Sequence, residues 1–185
     1  MNMHYRQGLF IMLLCFIMAT MGLAQQQSWN MNFKGGILMP GTVTVEGFDV
    51  DTEMGWTANT AFDALLAEKF SMGGFFSYSG TESEGGESAN ILAIGGTFKA
   101  RFTLKGGTQL RPGLIMAYQM TTGDAFDDVD GLDVGFTFEV VFPLQDHNAL
   151  VGELGFTSQP AGGNEDADVT WAPILYLTFG YEFGG

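Results

Sequence analysis

The chain has 185 residues, 7 Lys or Arg against 21 Asp or Glu, and a formal net charge of −14 at pH 7. A chain this acidic offers no basic patch for nucleic-acid phosphates, which excludes that class of partner. A single cysteine, Cys15, and two histidines, His4 and His147, leave little material for disulfides, thiol catalysis or a zinc centre.

The first residues read as a leader. Arg6 lies beside the amino terminus, Leu9 to Ala19 is an unbroken apolar run, and Gly22 and Ala24 stand where a signal peptidase requires small residues. That order is the order of a secretory signal peptide, and the run falls short of the roughly 20 residues of a membrane-spanning helix. The expected division is therefore a signal peptide over residues 1–24 and one domain over residues 25–185. Cys15 and His4 belong to the leader, so the mature chain is expected to hold no thiol and one imidazole. Leu14 before Cys15, where a small residue is needed, argues against a lipid-anchored cysteine.

After residue 25 the chain follows a period of two. Trp29, Met31, Phe33, Gly35, Ile37 and Met39 alternate with polar or small residues, as do Trp56, Ala58, Thr60, Phe62, Ala64 and Leu66. The pattern recurs over 70–79, 90–102, 109–120, 131–142, 149–158 and 170–183. Each segment is close to the length a tilted strand needs to cross a bilayer. Short connections (67–69, 103–108, 143–148) alternate with longer acidic ones (40–54, 80–89, 121–130, 159–169), as periplasmic turns and extracellular loops do. The predicted fold is all-β, an eight-stranded antiparallel up-and-down transmembrane β-barrel. Pro112 and Pro173 fall within strands, where a missing N–H breaks the ladder, and are expected at bulge or rim positions.

Alternation alone also suits a soluble barrel that hides its apolar side chains. The two differ in which face is charged. One phase, exemplified by Phe98, Phe136, Phe138, Leu177 and Phe179, carries no Asp, Glu, Lys or Arg in any segment. A Lys or Arg at a bilayer midplane costs roughly 2–4 kcal/mol, so this phase suits lipid. The other phase is Gly, Ala, Ser and Thr with the charges, which suits the narrow interior of eight strands. Aromatics sort to the segment ends: Trp56, Tyr78, Tyr118 and Trp171 at the loop ends, Trp29, Phe70, Phe102, Phe142 and Tyr181 at the turn ends. Two such rings are the girdles of a membrane barrel.

At the carboxyl terminus, Phe179-x-Tyr181-x-Phe183 resembles the aromatic-ended final strand by which outer-membrane barrels are recognised for assembly. With the leader and the strand number, the chain resembles the small outer-membrane protein A/X-like, opacity-type barrels. Gly184 and Gly185 after Phe183 depart from that family's usual ending. The resemblance implies integral residence in a bacterial outer membrane, contact with its lipid and lipopolysaccharide, and delivery by the barrel-assembly machinery. Family roles range over anchoring, adhesion and small conductances, so fold does not name the role.

Eight charged residues fall on the inward phase in the lower or middle part of the barrel: Lys34, Lys99, Arg101 and Arg111 with Asp63, Glu139, Glu153 and Glu182. Charges in a narrow lumen are costly unless paired and hydrogen-bonded, which predicts a salt-bridge network. Above it Thr57, Asn59, Ser77, Ser79, Ala93, Ala117 and Thr157 are small and Asp133 is the one charge, which predicts a shallow wet vestibule open to the outside. A packed plug and a gated ion path both fit this pattern.

The long connections hold Glu46, Asp49, Asp51 and Glu53; Glu82, Glu84 and Glu87; Asp124, Asp127, Asp128 and Asp130; and Glu165, Asp166 and Asp168, with no Lys or Arg. Such oxygens suit divalent cations, shared with lipopolysaccharide phosphates, or simply a solvated acidic surface. DAFDDVDG (124–131) lacks the ligand spacing and final Glu of a calcium loop, so Asp124, Asp127, Asp128 and Asp130 are metal candidates by residue type alone. His147 falls in a turn on the opposite side from these loops, which leaves their Ser and Asp residues without an imidazole partner. No phosphate loop, zinc-ligand cluster or cofactor motif is present. The sequence reads as a non-enzymatic outer-membrane barrel with acidic loops acting in envelope integrity or surface interaction. A small gated pore is the alternative; a lipid-modifying enzyme or a soluble ligand-binding barrel are lesser ones.

Overall fold

The computed structural model describes residues 28–184, apart from 125, 145–146 and 165–166. The expected leader, residues 1–24, lies outside the described residues. The chain forms β1 (Trp29–Leu38), β2 (Gly41–Val45), β3 (Phe48–Thr52), β4 (Gly55–Ala67), β5 (Phe70–Glu82), β6 (Ser88–Ala100), β7 (Phe102–Thr103), β8 (Gln109–Gly123), β9 (Phe126–Pro143), β10 (Asn148–Gly163) and β11 (Val169–Gly184). Eight of these make the wall, in the order β1-β4-β5-β6-β8-β9-β10-β11, every pair antiparallel. β1 also pairs with β11, from Asn30 opposite Gly184 to Leu38 opposite Tyr176, so the sheet closes on itself and leaves no edge at this level.

The alternation sets which face each side chain takes. Leu114, Leu154 and Phe179 are 60%, 53% and 65% exposed on the outside, and Phe98, Phe136 and Phe138 join them there. Glu139, Lys99 and Arg111 are buried inside. A soluble barrel would invert this arrangement, so that reading fails. The outer belt is stable against hydrocarbon and not against water. Leu154, opposite Phe138 and Leu177 near mid-wall, tests the belt. Leu154→Lys should cost about 2–4 kcal/mol in urea unfolding from lipid vesicles. A change within about 0.5 kcal/mol, as for an ordinary surface site, would reject a lipid-facing belt.

Inside, glycines make room for large groups. A Cβ on Gly113 would lie 2.7 Å from Lys99 Cγ, and one on Gly155 would strike the Tyr176 ring. The ladder between β6 and β8 stops at Lys99–Gly113 and resumes as β7, with Pro112 at the gap. Pro112 has no N–H to give there.

The expected long loops are mostly strand. β8, β9, β10 and β11 run on well past the belt, and residues 40–54 form the hairpin β2–β3 instead of a loop. β2 and β3 flank a two-residue turn, Glu46-Gly47, with φ of 50° and 85°. Positive φ at both positions gives the turn whose twist matches a hairpin. β2 pairs with β11 through Val45–Val169, Thr44–Thr170 and Val43–Trp171. β3 meets the residue that follows β5 through the Thr52–Ser83 bridge. Above the ends of β1 and β4, the hairpin therefore takes their place in the ring.

The strand polarity reverses in this upper ring. Leu38, Val43, Ala89, Ile91, Val129, Val169, Trp171, Ile174 and Tyr176 form one buried apolar cluster. On the outside, Thr42 donates to Asp51 at 2.9 Å and Thr44 to Asp49 at 2.7 Å. Apolar inside and polar outside is how a barrel wall behaves in water. The reversal thus marks the level at which the belt gives way to aqueous surroundings.

Candidate functional site

The lumen has three levels, and the lowest is ionic. Glu139 on β9 is central: Lys34 Nζ from β1 lies 2.8 Å away, Lys99 Nζ at the end of β6 2.9 Å away, and Arg111 from β8 3.9 Å away. Lys34 also pairs with Glu153 on β10, and Lys99 with Asp63 on β4 at 2.8 Å. Arg111 forks onto Glu182 of β11, with Nη2 2.8 Å from Oε1. Hydroxyls add to the flanking carboxylates: Thr97 donates to Asp63 at 2.8 Å, Thr137 to Glu153 at 2.6 Å, and Tyr176 to Glu153 at 2.7 Å. A fork of parallel N–H bonds fixes geometry as well as charge.

Seven of the eight inward charges named from the sequence meet in this network. Arg101 does not enter an ion pair with any described carboxylate. Arg111 occupies Glu182, and Arg101 Nη2 instead donates to the Gln109 side-chain oxygen at 2.9 Å. Gln109 also accepts from Arg111 Nε at 3.0 Å, and so bridges two guanidiniums. The sequence reading missed Gln109, Thr97, Thr137 and Tyr176. Their inward parity was the available signal.

The middle level is a cavity of about 80 Å³ between the ions and the apolar cluster. One water needs roughly 10–15 Å³ measured this way, so several fit. Asn59, Ser77, Ser79, Gln119, Asp133 and Thr157 line it, beneath Leu38, Ile91, Trp171 and Ile174. The expected vestibule open to the outside is therefore a chamber with an apolar ceiling. The sequence reading assumed that the polar lumen continued to the rim, whereas the hairpin brings Val43 over the opening.

Trp171 corrects another expectation. It was placed on the outer girdle but is 3% exposed, inside the ceiling. The pairing of β10 with β11 slips between Thr157–Ile174 and Gln159–Trp171, leaving Ala172 and Pro173 both outward. That bulge turns Trp171 inward. Tyr118 keeps its outward parity but is only 8% exposed, and its hydroxyl donates to Asp130. Trp56 and Tyr78 meet edge to face at 5.4 Å near the upper limit of the belt, with Tyr78 donating to Asn90. At the lower limit Trp29 stacks on Phe62, Phe142 is half-exposed, and Tyr181 lies against Phe183. Phe179, Tyr181 and Phe183 share the outer face of β11, opposite Gly35, Phe33 and Met31 of β1.

The acidic rim is carried on strands and tight turns. Glu46, Asp49, Asp51, Glu53, Glu82, Glu84, Glu87, Asp124 and Asp168 are exposed there. Of the four metal candidates, the side chains of Asp127 and Asp128 lie outside those described. Asp124 accepts from Ser88 at 3.1 Å, and Asp130 accepts from Tyr118. Among the described residues no group of three or more His, Cys, Asp or Glu could hold a metal ion. His147, with φ 65°, accepts from the Gly184 amide at the opposite end of the barrel.

No family model matches the chain, and neither does any curated protein. Among solved structures, Neisserial surface protein A superposes with a TM-score of 0.61 at 8% identity, over 84% of this chain and 96% of that one. Ail, the attachment invasion locus protein of Yersinia pestis, covers 85% of this chain and 99% of its own at 10% identity, with a TM-score of 0.47. Identity this low speaks to fold alone. The closed ring of eight antiparallel strands, apolar outside and ionic within, is the fold of the small outer-membrane β-barrels of the outer-membrane protein A/X-like class.

Proposed function

We propose that this chain is a non-enzymatic surface protein of the bacterial outer membrane, a sealed barrel that holds an acidic rim outside the bilayer. The observation that carries this reading is the double closure of the lumen. The ionic layer around Glu139 and the apolar layer around Trp171 lie one above the other, with the chamber between them. A conducting path would have to break both, and the ionic layer is costly to open because each lost partner strands a buried charge. This weighs against the gated pore.

Residues 1–24 would export the chain, the barrel-assembly machinery would read Phe179, Tyr181 and Phe183, and the Trp and Tyr pairs would sit at the lipid and lipopolysaccharide headgroups. The rim, with no Lys or Arg among its residues, selects cationic partners by charge, whether divalent ions or basic surfaces. Catalysis is opposed by the separation of His147 from every rim hydroxyl and carboxylate. Planar-bilayer recording of the refolded protein in concentrated KCl tests the central claim. The expected record is a quiet baseline, and reproducible unitary steps from the wild-type chain would refute it.

A further inference from the structure

The charges inside the barrel do not cancel. Lys34, Lys99, Arg101 and Arg111 face Asp63, Glu139, Glu153 and Glu182, and Asp133 remains as a fifth buried anion, 3% exposed. Among the described residues no Lys or Arg forms an ion pair with it. Thr157 donates to its carboxylate, and the backbone amides of Val134 and Ser158 do the same. These bonds satisfy lone pairs without supplying a positive charge. Lys34 and Lys99 line the same chamber, but each is already held by two carboxylates.

A second observation concerns the neutral acceptors. Gln159, fully buried, lines the chamber two residues along β10 from Thr157, and its Oε1 has no hydrogen-bond partner. Asn59 Oδ1, on the opposite wall, has none either. Buried polar atoms left unpaired in a native fold mark a missing water or ion. Here the unpaired atoms are acceptors and the unpaired charge is negative, so both call for the same guest.

We infer that the chamber binds one small monovalent cation, a Na⁺ or K⁺ class ion, as the counter-ion of Asp133, with the side-chain oxygens of Gln159 and Thr157 beside it and Asn59 across the chamber. Amide oxygens can replace an ion's hydration shell in the way carbonyls do in a filter. The net excess is a single negative charge, which a divalent ion would overshoot. The space admits an ion with a few waters. The apolar cluster lies over the chamber and slows the ion's exchange with the outside, so each cation is best supplied at refolding.

The test is to refold the full barrel separately in NaCl, KCl, RbCl and N-methylglucamine chloride at equal ionic strength. Crystals of the rubidium-refolded protein should show an anomalous peak in the chamber beside Asp133. The unfolding midpoint should be higher in the alkali salts than in N-methylglucamine, a difference that Asp133→Asn abolishes and Ser77→Ala preserves. Absence of the rubidium peak would overturn the proposal without recourse to any variant. So would an unfolding midpoint indifferent to cation identity, or a protonated-carboxyl infrared band at neutral pH that vanishes in Asp133→Asn, since a proton would then be the counter-charge.

Discussion

Glu139→Gln should be among the most destabilising single-atom-scale changes in this chain, costing about 3–5 kcal/mol in reversible urea unfolding. Glu139 is fully buried and receives Lys34 at 2.8 Å and Lys99 at 2.9 Å, with Arg111 at 3.9 Å. Removing its charge leaves these three cations to Asp63, Glu153 and Glu182 alone, in a space too narrow for bulk water. The amide oxygen can still accept from both ammonium groups at the Oε1 position, but its N–H₂ then stands where Oε2 faced Arg111, and no negative charge remains between the three cations. If the penalty is stranded charge, removing a cation as well should return part of it. Glu139→Gln with Lys99→Met should then lose less than the two single changes added together, by roughly 0.5–3 kcal/mol of coupling. A loss below about 1 kcal/mol for Glu139→Gln, or strict additivity in the pair, would show that the lower layer does not rest on charge compensation.

The belt and the ionic layer were legible because a single rule governs them. Strand parity tells lipid from lumen, and the lumen of a narrow barrel must compensate its charges, so Lys34, Lys99, Arg111, Glu139 and Glu182 could be assigned to one another's neighbourhood from sequence. Two physical features defeated the same rule higher up. Parity survives only while the register does, and the bulge at Ala172-Pro173 advances β11 by one residue, which carries Trp171 from the outer face to the inner one. Pro173 on its own announced a fault in the ladder without saying which way the strand would resume. The meaning of parity also reverses where the wall leaves hydrocarbon. Val43 and Val45 alternate with Thr42 and Thr44 as regularly as any belt strand, around a Glu46-Gly47 turn that is a hairpin signal. Their acidic surroundings suggested a loop instead. Arg101 is a different case: its inward parity was sound, but which of two guanidiniums wins Glu182 depends on distances that spacing does not encode.

Trp171→Ala should separate the upper ring from the rest of the barrel. Trp171 packs with Leu38, Val43, Val169 and Ile174, and removing a buried indole from such a cluster costs about 3–5 kcal/mol. The hairpin is held to β11 by three residue pairs, one of them Trp171–Val43, and to the end of β5 by the Thr52–Ser83 bridge, with backbone bonds from Glu53 to Glu82, Glu84 to Asp51 and Glu46 to Asp168 beside them. These bonds lie at the rim, and the cluster beneath supplies the apolar burial that keeps the hairpin seated in the ring. The loss should therefore appear as local opening. Amide hydrogen exchange in β2 and β3 should accelerate on the order of 10²- to 10³-fold, at 1.4 kcal/mol per tenfold. Exchange in β1 and the lower part of β9, around Lys34 and Glu139, should stay slow, and bilayer recordings should stay quiet because the ionic layer alone still closes the lumen. Had Trp171 belonged to the outer girdle, its removal would weaken membrane anchoring and leave the hairpin untouched. Unchanged exchange in β2 and β3 after Trp171→Ala would restore that placement and, with it, the vestibule open to the outside.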